Sequence, residues 1–256
     1  MAIGRRLPYP FLQASGYTRV GSLGEFRPVD LIVVHDMEAP ELTKTAENVA
    51  QYFHTGAGGR KVSSHYCIDS DSVVQCVRED DVAWCAPGSN HNGIQLEHAG
   101  YARQSERDWQ DVYSKAMLDL SAKLTAQICR EYRIPVYFLN AAGLKAGRRG
   151  ITTHAEVSRA FHRSDHTDPG PNFPIHDYVG AVGYYLGKRP NITAPQDRKP
   201  WPIPVPAWFW VWAEWHLQGR NGPRPGDAYP EEGDRRVVRI PEWAVRRLEA
   251  LVAGRK

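Results

Sequence analysis

Apolar residues fall in short runs parted by polar turns, and their spacing predicts strands and helices intermixed over most of the chain. Residues 29–34 are nearly continuously apolar and carry β-branched side chains, as expected of a strand buried on both faces, and the run ends at His35. Residues 43–54 read as a helix. Residues 63–68 and 72–77 flank Asp69-Ser70-Asp71 and read as a β-hairpin, and residues 93–98 form a further strand candidate. The clearest helix starts at Ser105, whose spacing to Asp108 resembles a capping box. Trp109, Val112, Tyr113, Ala116, Leu120, Leu124 and Ile128 recur every three or four residues and would form its buried stripe, with Pro135 marking its end. Residues 175–186 predict a last helix, so the pattern fits an α/β or α+β domain built around one sheet.

The pattern changes near residue 189. Ten of the 19 prolines lie beyond that point and six of the eight tryptophans beyond residue 200, which places a domain boundary there. Residues 189–204 read as a semi-extended proline-rich linker. Beyond it the chain repeats itself at an offset of 35, with identities at Pro206/Pro241, Trp208/Trp243, Glu214/Glu249, Gly219/Gly254 and Arg220/Arg255. Proline near the start and glycine past the end are helix boundaries, so residues 205–256 predict a small helical module. Trp208, Trp210, Trp212 and Trp215 cannot share one helix face, because residues two apart point about 200° apart. Exposed tryptophan beside arginine suits a cell-envelope surface, with Trp208, Trp212 and Trp243 as the binding candidates; docking of the pair onto the first domain is the plainer alternative. A helix-turn-helix reading finds few base-reading side chains beyond Arg246 and Arg247, so no nucleic-acid partner is expected.

Composition narrows the classes. The 256 residues, 42% hydrophobic and 24% charged, can bury a sizeable core without metals or cross-links. The longest apolar run, residues 207–213, is far short of the ~18 residues of a membrane span, so no membrane insertion is expected. Arg5 and Arg6 are followed by Leu7-Pro8-Tyr9-Pro10 and not by an apolar stretch, so no secretory signal is expected. The net charge of +3 arises in the tail: residues 1–195 hold 21 basic and 21 acidic side chains, residues 196–256 hold 11 and 8. Cys67, Cys76, Cys85 and Cys129 are too few and too scattered for a disulfide framework and read as reduced thiols.

Histidine carries the candidate chemistry. His35 ends a buried strand, His154 lies in Thr152-Thr153-His154-Ala155-Glu156, and Asp168 opens the rigid turn Asp168-Pro169-Gly170-Pro171. Two imidazoles and a carboxylate from separate loops could hold zinc with a position left for water, although each of the three has an ordinary structural reading. A His162/His166 pair could also ligate if helical, but Ser164, Asp165, Thr167 and Pro169 favour a loop.

Six segments taken in order resemble the zinc-dependent N-acetylmuramoyl-L-alanine amidases, which share a fold with peptidoglycan recognition proteins. They are Leu31-Ile32-Val33-Val34-His35, Ser63-Ser64-His65-Tyr66, Ala83-Trp84-Cys85-Ala86-Pro87-Gly88, Gly93-Ile94-Gln95-Leu96-Glu97, Thr153-His154 and Thr167-Asp168-Pro169-Gly170-Pro171. The resemblance covers about residues 25–185 and implies an α/β fold with a central mixed β-sheet flanked by helices, occupying residues 1–188. It implies Zn2+ held by His35, His154 and Asp168, and Glu97 as general base. His166 stands where active relatives usually have lysine. Ser64 stands where a phage branch of the family has tyrosine, which favours Glu97 as the base. Trp84, Asp36 and Ser64 are candidate substrate contacts, Asp36 and Glu38 alternatively outer partners of the metal, and His65 and His98 read as packed.

The implied reaction is hydrolysis of the amide between the lactyl group of N-acetylmuramic acid and L-alanine of peptidoglycan, by a monomer. With its Trp-rich tail the chain resembles a phage endolysin of actinobacteria, made in the host cytoplasm and reaching the wall through a holin lesion. A non-catalytic peptidoglycan-binding protein of the same fold and a cytoplasmic amidase that recycles anhydro-muropeptides are the rival expectations.

Overall fold

Alternation along two parallel strands sets the architecture. The computed structural model describes residues 9–187, which form seven strands and five α-helices joined by short 3-10 turns. In chain order these are β1 (Tyr17–Thr18), β2 (Leu31–Asp36), α1 (Thr45–His54), β3 (Tyr66–Ile68), β4 (Val73–Gln75), β5 (Val82–Ala83), β6 (Gly93–His98), α2 (Val112–Tyr132), α3 (Ala141–Lys145), β7 (Gly150–Thr153), α4 (His154–Phe161) and α5 (Ile175–Tyr185). The main sheet has the order β4-β3-β6-β2-β7. β3, β6, β2 and β7 run parallel and β4 pairs antiparallel with β3, so the sheet is mixed as expected. β1 and β5 form a separate two-stranded pair too short to leave a sequence signal.

β2 and β6 are buried along their whole length, which explains why the first four residues of β2 read as an unbroken apolar run, while β6 alternates apolar and polar residues with both faces covered. Ile32 and Val34 of β2 join Ile94 and Leu96 of β6 in a core completed by Leu124 and Ile128 of α2 and by Tyr178 and Val182 of α5. At about 25 cal/mol per Å², each such aliphatic side chain contributes on the order of 1.5–3 kcal/mol. Leu31 and Val33 pack in a different cluster with Leu139, Leu144, Val157 and Ala160. A third cluster joins Ala46, Ala50 and Phe53 of α1 to Cys67 and Val74 of the hairpin.

The long helix departs from expectation at its start. Ser105 and Asp108 do bond reciprocally, but they open a 3-10 turn, and α2 begins at Val112 with the Asp111 side chain accepting from the Ser114 amide. Rotating the start in this way exposes Val112 and Ala116 and buries Ser114, Met117, Ser121 and Thr125 beside Leu124 and Ile128. The residues after Gly147 also form more regular structure than read from sequence, since β7 leads directly into α4 and His154 is the first helical residue. The residues from His162 to Pro174 are irregular, as Ser164, Asp165 and Pro169 predict. None of the four cysteines is in a disulfide; Cys67, Cys76 and Cys129 are buried and Cys85 is half-buried. The linker, the tail module and its Trp208, Trp212 and Trp243 lie outside the described residues. No helix among the described residues is long and apolar enough to cross a membrane.

Candidate metal centre and active site

The carboxyl ends of β2, β6 and β7 meet at one place, where parallel sheets commonly place their ligands. His35 is the fifth residue of β2 and pairs in register with Glu97 of β6, so the two side chains leave the same face of the sheet as neighbours. His154 enters from the end of β7, where Thr153 caps α4 by accepting from the Glu156 amide. Asp168 arrives on the 162–174 segment, which is tied to α4 by the Ala155 amide donating to the Asp168 carbonyl. Gly170 shapes that segment: its φ is +86°, and a Cβ there would overlap the Ala102 carbonyl oxygen.

His35, His154 and Asp168, all buried, offer three ligand atoms within 4.8 Å of one another. His35 Nδ1 lies 3.0 Å from Asp168 Oδ2, and His154 Nδ1 lies 3.0 Å from Asp168 Oδ1. The other nitrogen of each ring is engaged from behind. His35 Nε2 is 2.9 Å from Gln95 Oε1, whose amide nitrogen in turn donates to the Ser89 carbonyl. His154 Nε2 is 3.3 Å from the Ser164 hydroxyl. Held by Nε2, both rings turn Nδ1 to the same carboxylate, the arrangement expected where outer partners orient metal ligands. His166 stacks on His154 with ring centres 4.3 Å apart and places Nδ1 3.2 Å from Asp168 Oδ1, while most of its side chain stays exposed.

The electrostatics follow from three imidazoles around one carboxylate. Burial would push Asp168 up, but hydrogen bonds with His154, His166 and His35 outweigh it and hold the carboxyl well below its ordinary range. Burial likewise opposes charge on His35, yet Cys85 and Asp168 raise it well above an ordinary histidine. His154 moves the other way, to about 4, because burial dominates and the Asp168 bond only partly offsets it, with His35 and His166 adding repulsion. The carboxylate therefore supports an imidazolium at His35 and a neutral ring at His154. His166 is raised, first by its bond to Asp168.

Glu97 sits beside this group. Burial pushes its carboxyl up to about 7, against the lowering effect of His35. Oε1 accepts from the Cys85 thiol at 3.3 Å, and Oε2 is buried with no hydrogen-bond partner. Asp36 is also buried: Oδ1 accepts from the Glu38 amide, Oδ2 has no partner, and burial pushes the group to about 8 despite that amide. Trp84 is half-buried, bonded through Nε1 to Thr18, and lines a cleft of about 470 Å³ with Pro87, Asn90, His91 and Arg163. A second cleft, of about 420 Å³, is lined by Arg159, His162, Ser164 and His166.

The expected ligand triad and Glu97 are thus brought together, with His166 at the rim and Asp36 close by. Ser64 is not part of this surface. It is fully buried and its hydroxyl donates to the Tyr66 and Gln95 carbonyls, so its role is to hold strand ends and the expected substrate contact is corrected. His65 and His98 are packed as expected, His98 bonding the His35 carbonyl through Nδ1. Three residues near the ligands and the base had no assigned role from sequence: Gln95, Ser164 and Cys85. Gln95 carried a usable signal, being a polar residue between Ile94 and Leu96, two positions before Glu97 and therefore on the same face.

Comparison with known proteins shows the family and the fold. The family model described as N-acetylmuramoyl-L-alanine amidase (Amidase_2) matches residues 25–171. The chain is 32% identical over 161 residues to N-acetylmuramoyl-L-alanine amidase A of Achromobacter lyticus, covering 59% of this chain and 81% of that protein. Among solved structures, Staphylococcus aureus hydrolase AmiA in complex with its ligand aligns with a TM-score of 0.53 at 17% identity, over 73% of this chain and 88% of that one. A selenomethionine AmpD derivative aligns with a TM-score of 0.50 at 19% identity, over 70% and 97%.

Proposed function

Because the chain belongs to the N-acetylmuramoyl-L-alanine amidase family and is a peptidoglycan amidase, we propose that it works with zinc held by His35, His154 and Asp168, as a phage endolysin. The observation that carries the zinc reading is the convergence of two Nδ1 atoms, each ring fixed through Nε2, on the two oxygens of one buried carboxylate. Two imidazoles and a carboxylate are a donor set of catalytic zinc, which keeps a position for water. A zinc ion held by these three residues would supply Lewis-acid polarisation of the scissile carbonyl and a water of pKa about 7.

The protein's own groups do the rest. Glu97, with Oε1 held by Cys85, keeps Oε2 for the water proton and delivers that proton to the departing L-alanine nitrogen, a contribution of ~10² to 10⁴-fold. Its carboxyl, pushed up to about 7, is suited to both accepting and returning a proton near neutral pH. His166, tied to Asp168 by Nδ1, offers Nε2 from the rim to the oxygen that gains charge. Trp84 lines the neighbouring cleft as a contact for glycan or stem peptide, and Asp36 acts through its closeness to Asp168 and Glu97.

The endolysin reading rests on the Trp/Arg-rich repeat of residues 205–256, which supplies a wall anchor that a recycling enzyme has little use for. Under it the protein accumulates in the host cytoplasm and acts on the wall after holin-mediated release. The test is digestion of purified sacculi with and without chelator, followed by mass spectrometry of the new ends and by metal analysis. Free L-alanine amino termini beside intact N-acetylmuramic acid, lost with chelator and restored by zinc, support the mechanism; stoichiometric zinc without cleavage supports a binding protein. Deletion of residues 195–256 separates the roles, since an endolysin loses binding to intact sacculi and a recycling amidase does not.

A further inference from the structure

The donor atoms around His35 support more than one grouping. Besides the triad, His35 Nδ1, Cys85 Sγ and a Glu97 carboxylate oxygen also lie within 4.8 Å of one another. Sγ is 3.7 Å from His35 Nδ1 and 3.3 Å from Glu97 Oε1. For a tetrahedral ion with metal–sulfur and metal–nitrogen bonds of about 2.3 and 2.0 Å, sulfur and nitrogen stand roughly 3.6 Å apart, so the observed separation suits joint ligation. The thiol is held in place, because the Cys85 and Ala86 amides both donate to Asn90 Oδ1. Glu97, 9% exposed, brings a second observation: Oε2 is buried beside the thiol and makes no hydrogen bond.

We propose that His35, Cys85 and Glu97 form a second metal locus, overlapping the triad and selective for thiophilic divalent cations such as cadmium or excess zinc. Thiolate and imidazole donors favour these ions over magnesium or calcium. Binding forms metal–sulfur and metal–nitrogen bonds and releases to solvent the thiol proton of Cys85 and the proton carried by His35 Nδ1, with no change of oxidation state. Nδ1 of His35 has one lone pair, so the two loci exclude each other. An ion in the second locus takes one ligand from the triad and occupies Glu97. On the proposed amidase mechanism it is therefore inhibitory.

The experiment titrates the full-length, metal-free protein with cadmium and follows the ultraviolet thiolate-to-cadmium charge-transfer band. His154→Ala, with Asp168→Asn as a second variant if it does not fold, disables the triad alone. Cys85→Ser removes the sulfur donor of the new locus while keeping a hydroxyl that can donate to Glu97 Oε1, and its response to cadmium is read relative to its own cadmium-free rate. The band is expected at one cadmium per chain in the triad variant and is expected to be lost in Cys85→Ser. Absence of the band from a folded triad variant, or its persistence undiminished in Cys85→Ser, overturns the proposal. A second arm adds excess cadmium to zinc-loaded protein digesting sacculi: inhibition in the wild type that disappears in Cys85→Ser supports the proposed consequence, and equal inhibition in both overturns it. If zinc-loaded protein cleaves nothing, the mechanism fails while the spectroscopic arm still decides the locus.

Discussion

Glu97 and His98 are neighbours in β6, both are buried, and they face opposite sides of the sheet. On the side of α2 and α5, His98 is fully satisfied: Nδ1 bonds the His35 carbonyl, Nε2 bonds Ser121 at 2.6 Å, and Ser121 and Thr125 close on the Tyr178 hydroxyl. Burial lowers its pKa to about 4, so the ring is neutral and works as a structural crosslink. On the other side Glu97 keeps one oxygen without a partner, and the apolar packing is divided between the α1 cluster and the α3/α4 cluster. A polar group with every bond made stabilises a fold, whereas one with a bond unmade costs about 1–3 kcal/mol and is available for chemistry. At this pair of residues the sheet turns a satisfied group to one face and a reactive group to the other, one residue apart in sequence.

The largest test of that contrast is Glu97→Gln. Removing the proton acceptor is expected to lower kcat by ~10² to 10⁴-fold while leaving zinc content and thermal midpoint unchanged or the midpoint slightly raised. Turnover near that of the wild type would move catalysis away from the reactive face. The converse substitution is Ile128→Ala in α2, fully buried in the opposite core. It is expected to cost about 2–5 kcal/mol in denaturant unfolding, with kcat per folded molecule preserved. A matching loss of kcat would show that the two faces are coupled.

Much of this division was legible in the sequence, for reasons that can be located. A buried parallel strand announces itself as an apolar run, so β2 was expected within two residues of where it lies, β6 was expected at its observed residues as a further strand, and their order with Thr153-His154 and the Asp168 turn pointed to the triad. What was not legible is whatever depends on pairing partners. The Ser105/Asp108 bonds are real but precede a 3-10 turn, α2 starts only at Val112, and Val112 moves from the expected buried stripe to 87% exposure. Ser64 occupies a family position of interest, yet it is buried just before β3 with its hydroxyl on the Gln95 carbonyl of the neighbouring β6, a pairing that no local pattern encodes. Ser164 follows α4 in the irregular segment and folds back to His154 at the start of that helix, so only the fold brings it there.

A smaller effect should come from the groups behind the imidazoles. Gln95→Leu removes the acceptor at His35 Nε2 and is expected to weaken zinc binding by ~10- to 100-fold in chelator competition, with the fold retained. Unchanged affinity would reduce Gln95 to a packing residue. Zinc affinity should also depend on pH with a defined sign. His35 is raised well above an ordinary histidine in the metal-free protein, so zinc must displace a proton from Nδ1. Below that raised value affinity is expected to fall about tenfold for each unit of pH lowered, per proton displaced, and a flat profile would mean that His35 binds no proton there.

The subtlest difference within the reactive face is that between a buried ligand and its exposed neighbour on the same carboxylate. His154 and His166 stack and share Asp168 Oδ1, yet burial lowers one and the Asp168 bond raises the other. A raised histidine is cationic below its pKa and loses its charge as pH rises through it, so oxyanion stabilisation by His166 should fade on the alkaline side. His166→Lys, which keeps its charge to higher pH, is expected to change the neutral-pH rate little and to carry activity further into the alkaline range. Superimposable alkaline limbs in the two proteins would assign that limb to another group and leave His166 as a partner of Asp168 alone.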